Sequence, residues 1–189
     1  MRSMSNSEVG HYIRQSGPTS SVAKELTHHR ESTVTVEASC EETFALLDDP
    51  TRLSTHMSKR TWMMAGSRMS IDMDDAQGRS IGSRIRLSGR ILGLRLSVEE
   101  IVTERNPPLK KVWRTTTPPR LLIIGPYRMG FNIEPQADTA RLVVFIDYAL
   151  PEGLITRWLG RVLGGLYAQW CTNRMANDAA AHFAAVRGE

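Results

Sequence analysis

The spacing of apolar residues changes from strand-like to helical near Pro151. Between Arg68 and Tyr148 most apolar residues alternate with polar ones, which is typical of strands with one buried face. Beyond Pro151 they recur at helical spacing toward Arg187, at Ile155, Leu159, Val162, Leu166, Trp170, Ala176, Ala180 and Phe183. We therefore predict an antiparallel sheet followed by one long C-terminal helix, whose apolar stripe packs on the sheet.

The segment before the sheet predicts one strand and two short helices. Residues 33–38 alternate and are rich in Thr and Val, which favours a strand. Ser39 and Glu42 have the spacing of a capping box, and the helix that they begin should end at Asp48-Asp49-Pro50. A second short helix is predicted over residues 51–57, leading back to the sheet.

The alternation also predicts how the first strands of the sheet pair. A turn near Asp75 to Gly78 should place Asp72 opposite Arg84 on the outer face. A tight turn at Leu92-Gly93 keeps all apolar members of the next hairpin on one face. That register gives the pairs Ile91–Leu94, Gly89–Leu96, Leu87–Val98, Arg90–Arg95 and Arg86–Glu99.

Three further strands complete the predicted sheet. One runs through residues 112–115, between the breaks at Pro107-Pro108 and Pro118-Pro119. The other two have alternating apolar residues, namely Tyr127, Met129, Phe131 and Ile133, then Leu142, Val144, Ile146 and Tyr148. The predicted fold class is α+β, with an antiparallel sheet of about seven strands around the long helix.

The first thirty residues differ from the rest in composition. They are rich in Ser, Gly and charged residues, and Ser16-Gly17-Pro18 is a strong breaker. We predict a flexible N-terminal extension over 1–30 and a single domain over 31–187. Residues 22–29 are expected to form a turn of helix, on which the adjacent His28 and His29 could not face one metal.

Composition and charge exclude several classes of protein. The 189 residues are 41% hydrophobic, enough for one domain with an ordinary core. We predict a cytoplasmic protein, since no run resembles a secretory or membrane-spanning segment. The net charge of +4 comes from scattered arginines, so no nucleic-acid partner is predicted. With only two cysteines, a disulfide scaffold and a paired-cysteine zinc site are not expected, and a single bridge is left open. No metal or cofactor is predicted.

The order of these elements resembles the helix-grip fold of the START and Bet v 1-like (SRPBCC) superfamily, and in particular its polyketide cyclase/dehydrase-like members. The resemblance covers about residues 31–187. It is carried by Val34–Ala38, Glu42–Asp49, Glu99–Val102, Pro107-Pro108, Val112–Arg114 and Trp170–Phe183.

The resemblance implies a cavity between sheet and helix that binds or carries a hydrophobic small molecule, such as a lipid, a polyketide-like chain or an aromatic compound. The small Gly89 among large apolar residues is compatible with such a space, and a filled core is the alternative. The candidate ligand-binding residues are His56, Met73, Leu87, Gly89, Leu96, Trp113, Tyr127, Phe131, Tyr148, Trp170 and Arg174. Arg174 is chosen because it interrupts the expected buried side of the helix, where it could meet an anionic group.

Two other functions remain open at this stage. A cyclase, aromatase or dehydratase would use His56, Tyr127, Tyr148 or Arg174 to move protons, but no catalytic constellation is visible. An adaptor would use residues 154–170, where arginines accompany Trp158, to bind a membrane or a protein. Homodimerisation is also left open.

Overall fold

The computed structural model describes residues 25–49, 69–91 and 94–187. Seven strands and two helices lie in these ranges. In chain order they are β1 (His28–Val36), α1 (Cys40–Leu47), β2 (Met69–Met73), β3 (Arg84–Ile91), β4 (Leu94–Asn106), β5 (Lys110–Thr115), β6 (Tyr127–Gln136), β7 (Thr139–Tyr148) and α2 (Leu154–Arg187). The second predicted short helix, over 51–57, lies outside the described residues.

All seven strands form one antiparallel sheet in the order β1-β7-β6-β5-β4-β3-β2. Strands β2 to β7 pair as successive hairpins, and β1 is added at the β7 edge. The long helix α2 packs on β1 and β7. The predicted fold class, a sheet gripping its C-terminal helix, is therefore confirmed.

The register of β3 with β4 is the predicted one, from Ile91 opposite Leu94 to Arg86 opposite Glu99. The prediction for β2 was wrong, because Asp72 lies opposite Arg86 and not Arg84. Asp74 explains the difference, since its carboxylate accepts bonds from the Ser83 hydroxyl at 2.5 Å and the Arg84 N–H at 2.7 Å. These two bonds hold Asp74 beside Arg84, so the turn is two residues longer than the predicted register requires.

Helix α1 begins as the sequence predicts. The Ser39 hydroxyl accepts from the Glu42 N–H at 3.2 Å, and the Glu42 carboxylate accepts from the Ser39 N–H at 2.9 Å. Its C-terminal cap, Asp48, is buried and binds Lys111 at 2.7 Å and Arg105 at 2.7 Å. This ion-pair cluster fastens the end of α1 to β4 and β5.

Strand β1 starts at His28, so the turn of helix expected over 22–29 was wrong for its last two residues. His28 stacks on Tyr148 with ring centroids 5.1 Å apart. His29, which alternates to the other face of the strand, bonds Asp147 at 2.7 Å. Cross-strand partners on β7 therefore extend the strand further than its Thr and Val content indicated.

The buried face of α2 agrees with the predicted one only in the second half of the helix, where Ala176 is fully buried and Phe183 packs against the core. Ile155, Val162 and Leu166 point to solvent, with 78%, 54% and 70% of their surface exposed. The helix instead buries mostly small residues, at Gly160, Gly164, Ala168, Thr172, Met175, Ala176 and Ala179. Small side chains occupy the buried face because the helix lies close to neighbouring backbone. Larger side chains at these positions would prevent that close approach.

Glycine at 160 and 164 allows that close approach. A Cβ at Gly160 would lie 2.9 Å from the Ile123 carbonyl oxygen and 2.9 Å from Cδ of Pro151. A Cβ at Gly164 would lie 3.2 Å from the same carbonyl. Helix α2 runs unbroken through Gly164-Gly165, so Gly164 serves close packing and does not break the helix.

The core is most completely buried at one end of the sheet. Beneath α1 and the second half of α2, Phe131, Leu142 and Val144 are each fully buried. On the same inner face, Leu87 on β3 and Met129 on β6 are only half-buried. The α2 packing on β1 and β7 accounts for this difference.

Neither helix of the described ranges is long and apolar enough to cross a membrane.

Candidate functional site

A row of cross-strand neighbours on the inner face of the sheet contains the candidate site. Successive pairs join Met73 to Ile85, Ile85 to Glu100, and Glu100 to Thr115. Tyr127 follows, with its N–H bonded to the Thr115 hydroxyl at 3.2 Å, and then pairs with Tyr148. A carboxyl group therefore lies in the middle of a face that is otherwise mostly apolar.

Glu100 is only 6% exposed and is held by two hydrogen-bond donors from neighbouring strands. The Tyr127 hydroxyl donates a short hydrogen bond to its Oε1. The Trp113 indole also donates to the carboxylate. The two rings orient the carboxyl group. Trp113 is itself held by an edge contact with Phe131, with the two ring centroids 6.4 Å apart.

Burial dominates the acid–base chemistry of this pair. Loss of water around Glu100 raises its pKa from 4.5 to about 7, although the bonds from Tyr127 and Trp113 and the charge of Lys111 act in the opposite direction. Burial also raises the pKa of Tyr127 well above 10, and the neighbouring Glu100 adds to the rise. Near neutral pH, Glu100 can therefore exist with or without its proton, while Tyr127 stays a donor.

Helix α2 adds two polar groups to the same region. Tyr167 and Cys171, one helical turn apart, share a hydrogen bond, and both groups contribute to the raised pKa of Tyr127. Burial raises the pKa of Cys171 to about 12, against the effect of the Tyr167 bond, so the thiol stays protonated. The residues Glu100, Trp113, Tyr127, Tyr167 and Cys171 are called the Glu100 cluster below.

Apolar side chains surround the Glu100 cluster on the sheet. They are Ile71, Met73, Ile85, Leu87, Leu96, Val98 and Met129. Several of them are half-buried although they share the inner face with fully buried core residues. This part of the inner face thus retains accessible surface beside a buried polar group, which is the composition of a small-molecule site.

The structure brings together most of the site residues predicted on the strands. Met73, Leu87, Gly89, Leu96, Trp113, Tyr127, Phe131 and Tyr148 all lie on the inner face. Phe131 is fully buried at the filled end, between Phe44 and Trp113. Tyr148 fills the space beneath Gly164, with its hydroxyl 3.8 Å from the position of an added Cβ. His56 lies outside the described residues.

The residues predicted on the helix are placed differently. Trp170 is half-buried and stacks on Tyr167, with ring centroids 6.0 Å apart. Arg174 is exposed and bonds Asp178 at 2.8 Å, one turn along the same helix. The expectation that Arg174 interrupts the buried side of the helix was therefore wrong, because that side is formed by the small residues.

Three members of the Glu100 cluster, namely Glu100, Tyr167 and Cys171, were missed in the sequence. A signal for Glu100 was available, because the alternation Leu94, Leu96, Val98 continues to residue 100 on the same face. Tyr167 and Cys171 lie beside the buried Gly164 and Ala168, and could have been found only with the correct face of α2. Within the described ranges, no group of three or more His, Cys, Asp or Glu could hold a metal ion.

An open groove of about 410 Å³ lies elsewhere, between α1 and the C-terminal part of α2. It is lined by Glu42, Ala45, Leu46, Asp49, Arg79, His182 and Phe183. Its charged residues have both signs, and Arg79 already pairs with Asp49 at 3.4 Å. We therefore take the Glu100 cluster, and not this groove, as the candidate site.

Comparison with known families agrees with this architecture. The family model described as polyketide cyclase / dehydrase and lipid transport matches residues 27–185. The chain belongs to this family. No curated protein matches it.

Solved structures show the same fold at low sequence identity. A protein from Thermus thermophilus is 14% identical, with a TM-score of 0.61, over 84% of this chain and 99% of its own. A major latex-like protein from Panax ginseng is 11% identical, with a TM-score of 0.53, over 84% and 99%. An aromatase/cyclase from a Streptomyces species is 15% identical, with a TM-score of 0.56, over 80% and 93%. These structural similarities show that the chain has the Bet v 1-like fold.

Proposed function

We propose that this protein binds an apolar small molecule that ends in a hydroxyl or carbonyl group, between the inner face of β2–β6 and α2. The observation that supports this proposal best is the buried Glu100 and its donor Tyr127 within an apolar surface. Desolvation of the ligand supplies most of the affinity, at roughly 25 cal/mol per Å² of apolar surface. The chain belongs to a family whose description includes lipid transport, which supports the same class of ligand.

The Glu100 carboxyl group selects the polar end of the ligand. As a carboxylate it accepts a hydrogen bond from a hydroxyl, and as a carboxylic acid it donates one to a carbonyl. Because its pKa is about 7, both forms are available near neutral pH. Met73 and Met129 supply flexible apolar surface that adapts to ligands of different shape.

A pair of probes that differ by one hydroxyl tests this proposal. We expect the protein to bind 2-naphthol at least about tenfold more tightly than naphthalene, because a hydrogen bond to a charged group contributes about 1.5–3 kcal/mol. Fluorescence titration at pH 8 measures both affinities. Native mass spectrometry of protein purified without denaturant provides a second readout, as a copurified molecule of low mass.

The matched variants are Glu100→Gln and Glu99→Gln, which change adjacent carboxylates on opposite faces of β4. Glu99 pairs with Arg84 at 2.9 Å on the outer face, so its loss should leave both affinities unchanged. Glu100→Gln should reduce the preference for 2-naphthol and leave naphthalene binding intact. If neither probe binds saturably, or if the two variants behave alike, the proposal is wrong.

A second function, proton transfer to or from the bound molecule, is favoured by one observation. A general acid or base works best when its pKa is near the working pH, and that of Glu100 is about 7. The Glu100 carboxylate would remove a proton from the carbon next to a ligand carbonyl. The Tyr127 hydroxyl would donate a hydrogen bond to the oxygen of the resulting enolate. Protonation of that carbon by Glu100 would regenerate the ketone.

Hydrogen–deuterium exchange distinguishes this enzyme from a binding protein. α-Tetralone incubated with the protein in D2O should lose its α-protons in the NMR spectrum faster than in buffer. The rate should rise with pH to a plateau above about 7, and Glu100→Gln should abolish it. Saturable binding of α-tetralone without accelerated exchange would contradict the enzymatic function and support binding only.

A further inference from the structure

The outward face of α2 changes character halfway along the helix. In its first half the outward residues are large and apolar, with Leu154, Trp158 and Leu166 exposed by 91%, 63% and 70%. Ile155 and Val162 belong to the same apolar stripe, which is about 18 Å long at 1.5 Å per residue, and the less exposed Leu163 lies at its border. In the second half the same outward positions carry polar residues, such as Asn173 and Asn177.

Such a stripe is unusual on a water-exposed surface. Single exposed apolar residues are normal, but a contiguous patch with a polar border marks a docking surface. The close packing through Gly160 and Gly164 leaves these five side chains no place in the core. The second half of the helix packs on the sheet without such a stripe. The exposed apolar residues of the first half are therefore not required for that packing.

The charges beside the stripe indicate what covers it. Arg157 and Arg161 are exposed along one edge, and α2 has no acidic residue before Asp178. Glu152, just before the helix, is the nearest exposed carboxylate in the sequence, so a second copy of α2 seated on the stripe would bring arginines to arginines with no carboxylate of the helix between them. A surface that carries negative charge and has an apolar interior complements both features. Trp158 adds to the match, because tryptophan favours the boundary between lipid headgroups and acyl chains.

We propose that the first half of α2 docks on anionic phospholipid surfaces, with the apolar stripe of residues 154–166 inserted at the headgroup boundary and Arg157 and Arg161 on lipid phosphates. Helices of this composition lie in the membrane plane and do not cross it. The same helix bears Tyr167 and Cys171 of the Glu100 cluster. Docking would therefore bring the candidate site next to the lipid, from which an apolar ligand can enter.

Vesicle flotation with the full chain tests the docking surface. Vesicles of phosphatidylcholine with 30% phosphatidylglycerol should bind the protein, and pure phosphatidylcholine vesicles should bind it at least tenfold more weakly. The double variant Arg157→Gln/Arg161→Gln should bind anionic vesicles about 25-fold more weakly, at about 1 kcal/mol for each arginine. Trp158→Gln should bind at least tenfold more weakly. Binding should also fall in 0.5 M salt.

Two control variants lie on the second half of the same helix. Arg174→Gln removes an exposed arginine that pairs with Asp178, and Asn177→Gln changes an exposed polar residue. Neither should weaken vesicle binding by more than about twofold. Asn177→Gln and the variants at residues 157, 158 and 161 should unfold at the wild-type temperature, because the changed side chains are exposed.

Three results would overturn the proposal. One is equal binding of anionic and neutral vesicles, and another is undiminished binding by Trp158→Gln. The third is a lack of flotation together with a dimer in sedimentation velocity that Trp158→Gln abolishes, which would assign the stripe to a second copy. None of these depends on whether the Glu100 cluster binds a ligand, so the two proposals can fail separately.

Discussion

Replacement of Glu100 by Gln should make this protein more stable above neutral pH, although it removes a hydrogen-bonded side chain. The variant keeps an amide of the same shape that accepts from Tyr127 and Trp113. It loses the cost of holding a negative charge away from water. Stabilisation by removal of a native carboxylate is an uncommon outcome, so the prediction is specific.

The magnitude follows from the raised pKa. A rise from 4.5 to about 7 corresponds to about 3 kcal/mol, at 1.36 kcal/mol for each pH unit. Because the folded state holds the Glu100 proton more tightly than the unfolded chain does, this contribution to stability is fully present below pH 4.5. It is lost as the pH rises through 7. The wild-type protein should therefore lose about 3 kcal/mol from this group between pH 4.5 and pH 8.

Urea unfolding followed by circular dichroism measures this effect directly. The free energies of unfolding of wild type and Glu100→Gln should agree near pH 4.5 and diverge to about 3 kcal/mol at pH 8, with the variant more stable. Glu99→Gln serves as the control, and its difference from wild type should not grow with pH in this way. A difference for Glu100→Gln that is independent of pH, or a less stable variant at pH 8, would refute the reasoning.

Two further pairs of neighbouring residues give contrasting predictions for unfolding experiments at pH 7. Lys111→Met leaves Asp48 buried without one of its cations and should cost about 3 kcal/mol, whereas Lys110→Met, at a partly exposed pair, should cost less than about 1 kcal/mol. Equal losses would contradict the buried ion pair. Gly160→Ala should destabilise the protein by about 1–3 kcal/mol, because its Cβ would meet backbone at 2.9 Å. A Cβ at Gly165 would meet the flexible end of Arg30 at 3.0 Å and the Tyr148 hydroxyl at an ordinary 3.7 Å, so Gly165→Ala should be neutral or stabilising. A Gly160→Ala variant as stable as the wild type would contradict the close helix packing.

Local patterns predicted much of the sheet correctly. The capping box at Ser39 and the tight hairpin between β3 and β4 depend on residues close in sequence, and both appear as expected. The β2 register failed because Asp74 bonds backbone and hydroxyl donors in its turn, which charge pairing across strands does not reveal. Alternation therefore predicts which face a residue occupies more securely than it predicts the charged residue opposite.

The face of the first half of α2 was mispredicted for a different reason. Periodicity finds the apolar stripe of a helix but does not tell whether that stripe meets the sheet or something outside the chain. Gly160 and Gly164 decide the matter, because the backbone of Ile123 approaches so closely that only small residues fit. That approach depends on the tertiary fold, so the buried face could not be read from the helix sequence alone.

The Glu100 cluster depends both on alternation within a strand and on contacts set by the tertiary fold. The alternation along β4 could have placed Glu100 among inward apolar residues, and a carboxyl group at such a position is itself a signal of function. Its partner Tyr127 was already a candidate ligand-binding residue from the sequence. Their hydrogen bond joins β4 to β6 across the intervening β5, and no pattern within one strand predicts it.

Carboxyl-carbon NMR of protein with 13C-labelled glutamate tests most directly whether Glu100 is the polar end of a ligand site. The Glu100 signal, assigned by its absence in Glu100→Gln, should titrate near pH 7 in the free protein. Saturation with 2-naphthol should shift both the signal and its midpoint. A midpoint near 4.5 that 2-naphthol does not change would contradict the account.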